Sequence, residues 1–180
     1  MRNMIRRVSR WSIALVTMAV TVTIGGAPAA HAAATATCAG TSTISYQPGL
    51  TLTPRAVHYA ETDTFSGCVS TDATLTSGTS SSSVDLPAAS CLALPSVVND
   101  PAFTIYWNNG QQTVVDLTFT DVIIGGTEQI TGTGPVVAGE FLGGNATVVW
   151  LYPVVNLLDC LSSQGLTSQN GILAAQITML

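Results

Sequence analysis

The chain contains no lysine, and beyond residue 32 it has one arginine, Arg55. All ten acidic residues lie in that same stretch, so residues 33–180 carry a formal charge of 1 − 10 = −9. A surface with one cation cannot neutralise a run of phosphates, which excludes nucleic-acid binding and leaves little to attract an anionic membrane. Without lysine there is no Schiff-base or Ser-Lys chemistry. Histidine is nearly as scarce: His58 is the only one after His31. A Ser-His-acid triad therefore needs the fold to bring a serine and an aspartate to His58, and no Gly-x-Ser-x-Gly elbow is present. His58 reads as a partly exposed strand histidine. No Cys-x-x-Cys pair or Asp-x-Asp-x-Asp-Gly loop occurs. Gly132-x-Gly134 lacks a following helix and a lysine, so it reads as a turn and not a phosphate loop. The expectation is no enzyme, no cofactor and no metal.

What is present begins with a leader. Arg2, Arg6, Arg7 and Arg10 precede an apolar core, Trp11–Ile24. Ala30-His31-Ala32 is a small-x-small cleavage site, with Ala32-Ala33-Ala34 as an alternative. The apolar run is too short for a membrane-spanning helix. Residues 1–32 read as a cleaved signal peptide and 33–180 as one mature domain, either extracellular or in the outer cell envelope. Arg6-Arg7 raises a twin-arginine route, but Ser9 stands where an aromatic residue is expected. Thr35-Ala36-Thr37 before Cys38 does not match a lipid-attachment site.

Four cysteines remain, Cys38, Cys68, Cys91 and Cys160. An even count in an exported chain implies two disulfides. Residues 41–53 and 55–65 read as antiparallel strands meeting at Pro54. That arrangement brings Cys38 beside Cys68 and leaves Cys91 to pair with Cys160.

Residues 100–126 read as a long hairpin. Phe103, Ile105 and Trp107 alternate with Thr104 and Tyr106; Val115, Leu117 and Phe119 alternate with Asp116 and Thr118. A two-residue turn at Asn109-Gly110 puts Ile105 on the face opposite Val115. A three-residue turn, Asn108-Asn109-Gly110, pairs Phe103 with Val115 and collects the large apolar residues on one face. The three-residue turn is expected. Residues 41–53, with Pro48, read as an edge strand bent at Pro48-Gly49. Residues 69–90 read as a surface loop holding at most one short strand, and residues 84–98 as irregular. Thr127–Thr133 reads as a short strand, and 136–142 with 146–152 as a second hairpin. The run Ala146–Tyr152 is apolar except at Thr147, which suggests a strand covered on both faces. Residues 156–161 read as a helical turn and 172–180 as the last strand. Eight or nine short strands joined by Gly, Pro and Asn turns predict an antiparallel β-sandwich of immunoglobulin-like character.

Cys38-Ala39-Gly40, Pro48-Gly49-Leu50-Thr51-Leu52-Thr53-Pro54, Cys68 and Gly165-x-x-Ser168-x-x-Gly171 together resemble uncharacterised small secreted proteins of actinobacteria. The resemblance implies export and an all-β fold, and brings no catalytic residue with it.

Candidate chemistry is thin. Glu61 and Asp63 share a strand face, as do Asp116 and, across a bulge, Asp121; such pairs could run glycoside hydrolysis across a cleft. Asp72, Asp85, Asp100 and Glu61 are oxygen donors of the kind calcium takes, but read as scattered, solvated acids. Trp107 and Trp150 read as core. Tyr106 and Tyr152 are the aromatics expected to be exposed and able to stack on a sugar ring. The expected function is non-enzymatic: a secreted binding or structural protein, monomeric, with an unknown protein or polysaccharide partner. The alternatives are a carbohydrate-binding module and a secreted inhibitor or ligand-sequestering protein.

Overall fold

The structure, a computed structural model, describes residues 34–93 and 102–179. The leader, Pro95 and Asp100 lie outside the described residues. Nine strands follow in order: β1 (Ala34–Leu50), β2 (Arg55–Ser70), β3 (Gly78–Ala89), β4 (Phe103–Trp107), β5 (Gln112–Val115), β6 (Thr118–Ile124), β7 (Thr127–Gly139), β8 (Asn145–Pro153) and β9 (Leu166–Met179). A 3-10 turn at Asp159–Leu161 carries Cys160, where the sequence places a helical turn.

The strands pair antiparallel, mostly with their neighbours in sequence, and β9 returns to pair with β1 from Ala34↔Met179 onward. β5 pairs with β7, through Thr113↔Gly139 and Val114↔Ala138, and this closes the sheet. The result is a closed barrel of 8 strands, with β6 an additional strand on the edge of β7. The expected immunoglobulin-like sandwich is therefore overturned. A barrel interior and a sandwich core impose the same alternation on each strand, so period-2 patterning cannot separate them. What separates them is pairing between distant strands. β1 is thus not an edge strand; it lies between β2 and β9, with its register broken between Ser45 and Leu50 around Pro48-Gly49.

The β8 run is covered on one face only. Ala146, Val148, Trp150 and Tyr152 are buried, while Val149 and Leu151 are half-buried on the outside. No second layer lies over them among the described residues; cross-strand neighbours Ala174 and Ile172 flank them instead. The outer face elsewhere is hydroxyl-rich: Thr37, Thr41, Thr43, Thr62, Thr64 and Ser66 all point outward and are exposed. A membrane-spanning barrel carries the reverse, an apolar outer band. No helix among the described residues is long and apolar enough to cross a membrane.

The three-residue turn is present. Phe103 pairs with Val115 and Ile105 with Thr113, and Gly110 takes φ = 83°. The strand after it does not stay beside β4, however. It breaks at Asp116–Leu117 and continues as β6 against β7, with one register held from Val115↔Val136 to Ile124↔Thr127. The turn of that hairpin is Gly125-Gly126, with φ of 60° and 83°, the conformation of a two-residue turn that matches strand twist. Two further expectations are corrected here. Residues 78–89 form a long strand where a loop was expected: serines and threonines serve well on the wet face of a sheet. Gly132 and Gly134 lie inside β7 and are not a turn. A Cβ at Gly134 would sit 1.7 Å from the Asp116 carbonyl oxygen, so glycine there lets the broken strand cross closely.

Both expected disulfides form, Cys38–Cys68 and Cys91–Cys160. Cys38 faces a bulge in β2, where Gly67 adopts φ = 62° beside Cys68.

Candidate functional site in the barrel wall

β4 is only five residues long and pairs with β3 at just two positions, Gly78↔Trp107 and Thr79↔Tyr106. From Ser80 onward β3 has no described neighbour on that side, and neither does the matching edge of β6. Among the described residues the wall therefore parts in a wedge. Behind it lies a cavity of ≈ 120 Å³ lined by Tyr59, Glu61, Asp63, residues 80–84 of β3, Ala102–Thr104, Phe119, Ile130, Trp150 and Tyr152. It is somewhat smaller than a cavity of about 150 Å³ that holds benzene, so an aromatic ligand would extend into the wedge.

Inward-facing positions normally carry apolar residues; here several are polar. On β2 the inward series Val57, Tyr59, Glu61, Asp63, Phe65 places two carboxyls inside the barrel. Ser42 on β1 and Ser80 on β3 are also buried. Tyr59 Oη donates to Glu61 Oε2 at 2.8 Å. Ser42 Oγ donates to Glu61 Oε1 at 3.1 Å. Tyr152 Oη lies 2.6 Å from Ser42 Oγ and 2.8 Å from Glu61 Oε1. The Trp150 indole N–H is shared between both Asp63 oxygens at 3.2 Å. Trp150 is in turn fixed by Phe103, edge-on at 5.6 Å, and by Phe119 at 6.0 Å.

Burial and the neighbouring Glu61 push the Asp63 carboxyl up to about 7, against the opposing hydrogen bonds from Ser42 and Trp150. Burial, then Asp121, raises Glu128, whose inward position on β7 is set opposite Tyr152. The hydroxyls of Tyr46, Tyr59 and Tyr152 are raised beyond their usual range, first by burial and then by the carboxylates. They remain neutral donors at ordinary pH. Arg55, the one Lys or Arg beyond residue 32, turns its guanidinium to the Gly49 carbonyl and does not line the cavity.

Of the residues singled out from sequence, Glu61 and Asp63 do meet, inside the barrel. Asp116 and Asp121 are exposed, although Asp121 shares the inner face of the sheet with Ile130. Tyr152 is buried at 1 % exposure, against the expectation that it is exposed; Tyr106 is 55 % exposed. The two tyrosines lie on opposite sides of the wall, so they do not make one stacking platform. Trp107 and Trp150 are buried as expected. His58 lies mid-strand, with Nδ1 2.7 Å from Asp85 Oδ1 on the surface. The shallow depression beside this pair is lined by Gln47, Ala56, Val57, Leu86 and Pro87, none a hydroxyl. Asp72 caps its own loop, accepting from the N–H and hydroxyl of Thr74, and these bonds lower its pKa. Among the described residues no three of His, Cys, Asp and Glu converge as metal ligands.

Tyr59, Ser42 and Ser80 were not legible as site residues, and Trp150 was read as core. The signal that could have found them is parity: a polar residue at an inward position of an alternating strand is either an error or a function. Comparison with protein-family models, curated proteins and solved structures found no match.

Proposed function

We propose that the protein is an exported, non-enzymatic barrel that takes a small molecule into the cavity behind the β3–β4 wedge. The observation that carries this reading is the cavity itself: an aromatic chamber with a carboxyl pair inside it and, among the described residues, a gap in the wall beside it. Concave, mostly apolar sites with a few convergent polar groups are where small ligands bind, and eight-stranded barrels are wide enough to hold one. Two disulfides and the N-terminal leader support an oxidising, extracellular setting. Among the expectations from sequence this is the ligand-sequestering one. A sugar-stacking surface gains little support, since Tyr106 stands without Tyr152 on its face.

The test uses the two buried indoles. In ¹⁵N-tryptophan-labelled, disulfide-bonded protein, the Trp150 N–H reports on the cavity. The Trp107 N–H, bonded to Thr113 Oγ1 at 2.8 Å and outside the lining, is the control. A fragment library of charged and neutral aromatic compounds should contain members that shift Trp150 and leave Trp107 in place. If no fragment shifts Trp150 selectively, the cavity is not a binding site.

A further inference from the structure

We infer that the ligand is an organic monocation: a primary ammonium on a small aromatic or apolar body. The inference rests on the cavity reading above and names its occupant.

The argument is one of unmatched charge. Glu61, Asp63 and Glu128 all point into the barrel, and no cation among the described residues faces them. Glu61 accepts from Tyr59, Tyr152 and Ser42. Asp63 accepts from the Trp150 N–H, competes with Glu61 for the Ser42 hydroxyl, and is buried to 2 % exposure. Buried charges are normally paired. No described residue supplies the pairing partner, and Asp63 compensates by holding a proton to higher pH than a free aspartate.

A second observation points the same way. Ser80 sits directly opposite Asp63 on β3, is 5 % exposed, lines the cavity, and its hydroxyl makes no hydrogen bond to another described residue. An ammonium has three donors. Asp63, Glu61 and the Ser80 oxygen are acceptors on two adjacent strands, facing one space. Around them stand the rings of Phe103, Phe119 and Trp150, whose faces attract cations and cover an apolar body. A metal ion fits poorly, because no three ligating carboxylate or imidazole groups converge among the described residues.

Binding balances in protons. As the ammonium enters, its charge takes the place of the acidic proton on Asp63, and that proton leaves to solvent. Glu61 and Tyr59 on the same strand face this exchange, as do Tyr46 on β1, Tyr152 on β8, Glu128 on β7 and Asp121 on β6. None carries positive charge, and the carboxylates among them favour the cation.

Benzylammonium and benzyl alcohol share size and shape and differ in charge, which makes them the probes. Followed by the Trp150 indole signal at pH 8, benzylammonium should bind at least about tenfold more tightly than benzyl alcohol. Its affinity should fall as pH drops below about 7. Asp63→Asn and Glu61→Gln should each bring the two affinities close together, with the Trp107 signal confirming that the variant is folded. Ser80→Ala should weaken benzylammonium several-fold and leave benzyl alcohol unchanged. Equal or tighter binding of the alcohol in the parent protein overturns the amine assignment and leaves the cavity reading intact. So does a library in which only neutral or anionic fragments move Trp150. A library in which nothing moves Trp150 removes both. If both variants retain the parent's amine preference, the carboxyls are not the cation's partners and the assignment fails.

Discussion

Asp63 occupies a position that the alternation of β2 reserves for an apolar side chain, between Tyr59 and Phe65 on the inner face. Its cost is set by pH, and the sign can be worked out. Its folded-state value, about 7, lies above the ordinary carboxyl value of 3.8 expected for the unfolded chain. The folded protein therefore binds more protons between these limits. The stabilising contribution is complete below the unfolded value and is lost as pH rises through 7. Urea midpoints should accordingly be higher at pH 5 than at pH 8. Asp63→Asn keeps an acceptor for the Trp150 N–H and removes the charge. It should raise stability at pH 8 by ~2 kcal/mol and flatten most of the pH dependence, with Glu128 leaving a smaller slope in the same direction. An unchanged slope in the variant would assign the effect to other groups. The sequence shows Glu61 and Asp63 on one strand face, because period 2 requires it. It does not show that this face is the inside of a barrel, because that depends on which distant strand covers it.

Glycines in the β5–β7 region separate two physical roles that the letter G does not distinguish. Gly110 has φ = 83° and open space around the position of a Cβ. Gly134 has an extended backbone and a carbonyl 1.7 Å from where a Cβ would sit. Gly110→Ala should cost only the left-handed penalty, ~1 kcal/mol. Gly134→Ala must push Asp116 away, disturbing the Asp116 N–H bond to the Pro135 carbonyl and the strand break itself, and should cost ~3 kcal/mol. Urea denaturation of the two variants measures the contrast; equal losses would mean that the crossing is not tight. The turn at Asn108–Gly110 was readable because the apolar faces allow only one register. The break at Asp116–Leu117 was not, since Val115, Leu117 and Phe119 keep their alternation straight through it. The serine-rich strand β3 was hidden for a related reason. Its outward residues face water, and its inward Ser80 and Ser82 lie beside a cavity, so the apolar signal is confined to Val84 and Leu86.

At the scale of the whole molecule, the cysteines were legible because two adjacent strands and an even count leave one pairing, while closure was not. The bridge Cys91–Cys160 spans 69 residues and Cys38–Cys68 spans 30. Loop entropy gives ~4.4 and ~3.6 kcal/mol respectively. Paired Cys→Ala replacements, compared by urea midpoint, should show a larger loss for Cys91/Cys160. The reverse order would mean that the Cys38–Cys68 bridge does more than limit the unfolded chain. The pairing of β1 with β9 sets a further condition, on the order in which the molecule can be made. β1 emerges first from the ribosome and β9 last of all the strands, so the final seam of the wall joins residue 34 to residue 179. Until Leu166–Met179 is available, β1 and β8 both present bare edges, with Ile44, Tyr46, Trp150 and Tyr152 uncovered on their inner sides. A chain passed through a membrane from its N-terminus therefore completes its barrel only on the far side, after the last strand has arrived.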